Sequence, residues 1–224
     1  MNKIIVIISA LLILCLSQLG NADEVFSPPE ILHQLDSLHQ QAVIVRSHGE
    51  KIFQAELEAW ERKGRTWRQV FSTVPAVVGR EGFAPPGEKR EGDGRTPSGI
   101  FSLKRAFGYS EKFPTSLDYR QATGNDFWVD DPESAQYNRW VTGAPQAKSF
   151  EKLRRDDDLY KYGIVIEYNT DPIIPGNGSA IFLHVWRGAS SPTTGCVALS
   201  DENLLQILKW LDKSRRPVVA VGRP

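Results

Sequence analysis

The sequence predicts a mainly β fold of the α+β kind, with one helix late in the chain. Three observations carry this reading. Short runs rich in β-branched and aromatic residues recur between turn signals, at 42–46, 74–79, 100–103, 163–168, 180–187 and 217–222. No regular alternation of strand and helix patterns appears, which argues against a parallel sheet of βαβ units. One well-capped helical pattern follows Ser200. The pattern supports about eight to ten strands and one or two helices.

Residues 1–22 hold Lys3, an apolar run at 4–16 and the small-residue sequence Gly20-Asn21-Ala22. This pattern predicts an export signal peptide cleaved after Ala22, since the apolar run is short for a membrane span, with an uncleaved membrane anchor as the alternative. Any membrane contact would then be transient, through the signal peptide, and the protein would work in the periplasm or cell envelope. Cleavage removes Cys15 and leaves Cys196 as the one cysteine. An unpaired thiol in an oxidising compartment points to reactivity, because exported proteins usually pair their cysteines. The 27 basic and 27 acidic residues give a net charge of 0, and losing Lys3 alone takes it to −1. With no long basic run, nucleic acid is excluded as an expected partner. About 200 residues that are 41% hydrophobic suffice for one core without disulfides.

Residues 23–40 form a lead in which Ile31, Leu32, Leu35 and Leu38 after Pro28-Pro29 predict a short amphipathic helix. His33 and His39 read as surface residues, and no ligand cluster predicts a metal or cofactor. The domain proper is 41–224. It opens with the strand 42–46 (AVIVR), and 56–62 (ELEAWER) reads as a hairpin partner, with a helix as the open alternative. After 74–79 (VPAVVG), the segment GDGRTPSGIFSL (92–103) places an Asp93-Gly94 turn and a TPSG sequence before an apolar strand. No helix pattern or Gly-Lys-Ser/Thr follows these glycines, so a phosphate loop is excluded. Asp130 and Asp131 precede Pro132 and read as turn formers rather than a glycosidase pair, since neighbouring strand residues face opposite ways. Trp140, Tyr160 and Tyr162 read as core or cleft wall.

The stretch 181–200, IFLHVWRGASSPTTGCVALS, carries the chemistry. A strand places His184 on one face with Phe182 and Trp186, and the Gly/Ser/Pro/Thr segment 188–194 turns the chain back towards it. Cys196 then reads as a nucleophile, with His184 as the base that takes its proton and holds the resulting ion pair. The backbone N–H groups of Thr194, Gly195 and Cys196 are the nearest candidates for an oxyanion hole. The alternative is a small buried hydrophobe at Cys196 and a satisfied core histidine at His184. Ser200 caps the helix, Asp201 and Glu202 match its N-terminal dipole, and Leu204, Leu205, Ile207, Leu208 and Leu211 form its buried stripe.

GDGRTPSGIF, SAIFLH (179–184) and TTGCVALS (193–200) together resemble the L,D-transpeptidase (YkuD-type) catalytic domain of bacterial cell-wall enzymes, over most of 42–222. The resemblance implies a β-sandwich or barrel and a thioester formed by Cys196 on the diaminopimelate of a peptidoglycan stem peptide. That acyl group would pass to an amine on a second stem. Water as acceptor would give a carboxypeptidase or an amidase, and an inert Cys196 a silent wall-binding module. The sequence departs from the family where a second histidine usually precedes Gly-Cys, here Thr194, and where an arginine usually follows two after the cysteine, here Ala198. Arg187 and Arg95 are the candidate replacements for that carboxylate anchor, with Trp186 beside them on the substrate side.

Overall fold

The computed structural model describes residues 29–222, so the expected signal peptide and the first part of the lead lie outside the described residues. In chain order the strands are β1 (Gln41–Ser47), β2 (Gln54–Lys63), β3 (Thr66–Gln69), β4 (Val74–Val77), β5 (Phe83–Ala84), β6 (Thr96–Pro97), β7 (Gly99–Gly108) and β8 (Asp118–Gln121). They continue as β9 (Asp126–Val129), β10 (Trp140–Thr142), β11 (Phe150–Lys152), β12 (Tyr162–Ile166), β13 (Phe182–Val185), β14 (Val197–Leu199) and β15 (Val218–Gly222). Among the described residues the single α-helix, α1, is Asp201–Trp210.

Pairing runs β1-β15-β7-β12-β13-β14-β4-β2 and returns from β2 to β1, which closes the sheet into a barrel; β3 and β8 attach at its sides. Closure removes the unpaired edges that an open sheet would expose. The strand period of two then divides each sequence between two environments. Leu183 and Val185 of β13, Val197 and Leu199 of β14, and Val43 and Val45 of β1 share the inner core, where Leu204, Ile207, Leu208 and Leu211 from α1 and the residue after it join them. Phe182 and Cys196 belong to a second cluster, with Phe107, Trp128, Leu153 and Tyr160. The three-stranded sheet β10-β9-β11 supplies Trp128 to this second layer, so the outer face of β13 and β14 is covered rather than bathed in water.

Helix α1 forms as expected: the Ser200 hydroxyl accepts from Asn203 N–H at 3.3 Å. Leu205 is only half-buried at the edge of the stripe. The segment 56–62 is the hairpin strand, not a helix. The lead differs from expectation, for the helix is a 3₁₀ turn, Glu30–Gln34, rather than an amphipathic helix reaching Leu38. The Asp36 carboxylate accepts from Leu38 N–H at 2.7 Å, a local bond that competes with helix continuation, and Leu38 stays exposed. Leu32 and Leu35 nevertheless pack on Trp60 and Trp67 of the barrel wall. Strand β7 also runs past the expected 100–103, because Arg105 is held outside by a bidentate pair with Glu167 at 2.8 Å, which keeps a charged residue within a strand. The TPSG sequence makes no hairpin of its own: Thr96–Pro97 pairs in parallel with Phe83–Ala84.

Candidate active site

His184 and Cys196 come together because β13 and β14 are parallel neighbours, with His184 opposite Ala198 and Leu183 opposite Val197. Cys196 immediately precedes β14, two residues before Ala198, so the period of two sends its side chain to the outer face that carries His184. The separation along the strand is about 7 Å, two residues of rise. Both side chains line one cleft of about 700 Å³, together with Tyr160, Glu151, Trp186 and Thr194. The connection 186–196 therefore crosses over to enter β14 parallel to β13, rather than folding back antiparallel.

Each side chain is held by a backbone group. His184 Nδ1 lies 2.8 Å from the Val185 carbonyl. A carbonyl only accepts, so Nδ1 carries the proton and the neutral ring presents Nε2 as its acceptor. The Cys196 thiol donates to the Ala180 carbonyl at 3.2 Å and accepts from Phe182 N–H at 3.4 Å. Ala180 has φ +53°, a left-handed conformation that an alanine enters at a cost of about 1–3 kcal/mol. Its N–H donates to Asn138 Oδ1 at 3.2 Å, and the preceding Ser179 hydroxyl donates to Glu91 at 2.7 Å, so tertiary bonds hold the carbonyl at the thiol.

Electrostatics here differ from the expected ion pair. Burial pulls the imidazole down to about 4, and burial with the nearby Glu151 pushes the Cys196 thiol far above the ordinary thiol range. Burial thus disfavours the charged form of both groups.

The Cys196 turn is fixed from behind. The Thr193 hydroxyl donates to the Cys196 carbonyl at 2.6 Å and accepts from Gly195 N–H at 3.1 Å. The Thr96 hydroxyl donates to the same carbonyl at 3.3 Å while accepting from Gly79 N–H at 2.9 Å. This gives the TPSG sequence its place in the site. Gly195 has φ +153°, and a Cβ there would meet the Arg95 carbonyl at 3.1 Å, so glycine is needed for both conformation and approach. Of the three expected oxyanion donors, Gly195 N–H is already engaged by Thr193. Those of Thr194 and Cys196 meet no protein acceptor among the described residues.

Trp186 and Arg187 lie on the cleft wall, where Arg187 contacts the Asp157 carboxylate at 3.2 Å. Arg95 does not join them. It lines a separate cleft beside Phe83 and Ile100, while its backbone carbonyl approaches the Cys196 loop. The residues that sequence reasoning did not single out are Glu151 and Asp157, both cleft-lining, and the role of Tyr160. Tyr160 packs edge-on against the His184 ring, centroids 5.2 Å apart and planes at 78°, and its hydroxyl donates to Glu151.

Residues 53–219 match the YkuD L,D-transpeptidase catalytic domain. No curated protein matches the chain. Among solved structures, the chain is similar to the helical cell shape determining protein Pgp2 from Campylobacter jejuni, with 17% identity, a TM-score of 0.42, and coverage of 82% of this chain. The chain spans 48% of that protein. The domain match covers the barrel from β2 into β15 and includes both His184 and Cys196, and the family acts on peptidoglycan. The chain belongs to the L,D-transpeptidase (YkuD) catalytic-domain family.

Proposed function

We propose that the protein is an exported cysteine acyl-transferase of the cell wall, in which Cys196 is the nucleophile and His184 the general base. The observation that carries this reading is the shared outer face of β13 and β14: a thiol and an imidazole with an available Nε2 line one cleft inside an L,D-transpeptidase domain. In the proposed reaction the thiol proton passes to Nε2 as sulfur bonds to the diaminopimelate carbonyl of a stem peptide. The tetrahedral oxyanion is met by the N–H groups of Thr194 and Cys196. Collapse breaks the peptide bond, and the imidazolium returns the proton to the departing D-alanine amine. An amine of a second stem then attacks the thioester, giving its proton to His184, and the thiol is restored. Trp186 and Arg187 form the rim that receives substrate.

A second reading, a silent wall-binding module, draws support from the burial of Cys196 and from its thiol being tied to Ala180. One experiment separates the two. Incubation with a disaccharide-tetrapeptide, followed by intact-protein mass spectrometry, gives under the first reading an acyl adduct that Cys196→Ser lacks. Wild-type protein that stays unmodified while still binding the fragment sinks the enzyme reading. Adding an amine-bearing second stem distinguishes transfer from hydrolysis by the product released.

A further inference from the structure

The His184 ring is fixed at Nδ1 by a backbone carbonyl, yet one hydrogen bond leaves the ring able to swing about it. What closes the remaining side is Tyr160. Its ring is 5% exposed and meets the imidazole edge-on at 5.2 Å, a geometry that aromatic pairs favour. It comes from a 3₁₀ turn, Asp158–Tyr160, and so short a turn does not hold a side chain by itself. Two external ties supply the rigidity. At the start of the turn, the Asp157 side chain accepts from Leu159 N–H at 3.2 Å and pairs with Arg155 at 2.8 Å and with Arg187 at 3.2 Å. At its far end, the Tyr160 hydroxyl donates to Glu151 on β11. Tyr160 therefore ties β11 of the covering sheet to the imidazole on β13, alongside the Trp128–Phe182 contact between the same two layers.

We propose that Tyr160, moored by Glu151, is the positioning residue for His184: it holds the imidazole against the Val185 carbonyl with Nε2 presented to the cleft, and it keeps water off the ring. Towards His184, Glu151 acts through Tyr160, and it touches no reacting atom. It makes no salt bridge among the described residues, and burial raises its carboxyl above the usual range. As acid or carboxylate it offers the hydroxyl an oxygen, so the tie does not depend on its charge.

The inference rests on His184 being the base, and its test is independent of turnover. The Cε1–H of His184 is followed by NMR against pH in the full chain without substrate. The charged and titratable groups around that ring are Arg155, Asp157 and Tyr160 from the turn and the segment before it, Glu151 from β11, Arg187 after β13 and Cys196 before β14. Tyr160→Phe and Glu151→Leu each remove the same single bond, so both should raise the His184 midpoint from about 4 by a similar amount, on the order of one unit as water reaches the ring. The double variant should shift it no further. Glu151→Gln keeps an acceptor oxygen and removes any charge, and should leave the midpoint in place. The acid limb of Cys196 acylation should move with the midpoint in every variant, a response that a purely structural contact does not give. Additive shifts in the double variant, a Glu151→Gln shift equal to that of Glu151→Leu, or no shift in Tyr160→Phe would each overturn the proposal. Absence of acylation in all variants, with the midpoints behaving as described, sinks the enzyme reading and leaves the Tyr160 clamp standing.

Discussion

Thr96→Val tests whether the segment 94–97 is what holds the Cys196 turn. Thr96 is fully buried, and its hydroxyl is the acceptor for Gly79 N–H and a donor to the Cys196 carbonyl. Valine replaces that hydroxyl with a methyl group of similar size, so no cavity opens. The change leaves Gly79 N–H in the interior without an acceptor, a penalty of about 1–3 kcal/mol. The Cys196 carbonyl keeps its shorter bond from Thr193 at 2.6 Å, so the second loss adds about 0.5 kcal/mol. For a domain of this size each kcal/mol moves the melting midpoint by about 2–4 °C, which places the expected fall at roughly 3–14 °C. Thr96→Ser keeps the hydroxyl and loses one methyl group, so it should cost only about 1 kcal/mol. Calorimetric melting of the two variants at pH 7 checks the ordering. A valine variant that melts at or above the serine variant would refute the reasoning, because the hydroxyl would then not be serving the buried amide.

Three further outcomes follow from the same geometry. His184→Ala should slow acylation of Cys196 by about two to four decades while leaving substrate binding intact, and Thr194→Ala should do far less because its backbone N–H survives; single-turnover mass spectrometry measures both. Gly79→Ala should destabilise by about 1–3 kcal/mol or more, since the new Cβ would stand 2.3 Å from the Gly94 carbonyl, whereas Gly124→Ala, with nothing within 4 Å, serves as the tolerated control in the same melting assay. His184 titrates at about 4 folded and about 6.5 unfolded, so between those values the unfolded chain binds the extra proton. Stability should therefore be complete above pH 6.5 and fall by about 3 kcal/mol as pH drops to 4, a slope that His184→Gln should flatten in urea titrations across that window.

Much of this was legible because it depends on local pattern. The apolar runs at 42–46, 163–168 and 180–187 carry strands β1, β12 and β13, the last two shorter than the runs, since β-branched residues over so few positions suit a barrel wall. The cap at Ser200 and the stripe from Leu204 to Leu211 needed only helical spacing. What escaped notice depends on chain-distant neighbours. Arg95 stands beside the motif glycines in sequence, but it follows the turn at Asp93, whose carboxylate accepts from Arg95 N–H at 2.9 Å, and it lines the other cleft. The burial that disfavours a charged Cys196–His184 pair escaped notice for a similar reason: the covering sheet β9–β11 that supplies it lies far from both residues in sequence. The Tyr160–Glu151 tie spans a strand and a turn with no motif to mark it.

That dryness has a consequence for how the proposed reaction must run. A preformed thiolate would need the imidazole to hold a proton, and burial disfavours the charged form of both partners. Proton transfer from Sγ to Nε2 is therefore uphill until something compensates the new charges, and the substrate carbonyl is the group that can, by taking the sulfur electron pair as the bond forms. The thiol must also leave the Ala180 carbonyl, a bond worth about 1 kcal/mol. Deprotonation and attack are then one event rather than two. Such a thiol stays unreactive until a carbonyl occupies the cleft. This reconciles a cysteine that is 6% exposed and bonded to backbone with a nucleophilic role, since the features that favour the silent reading are those a protected nucleophile also requires.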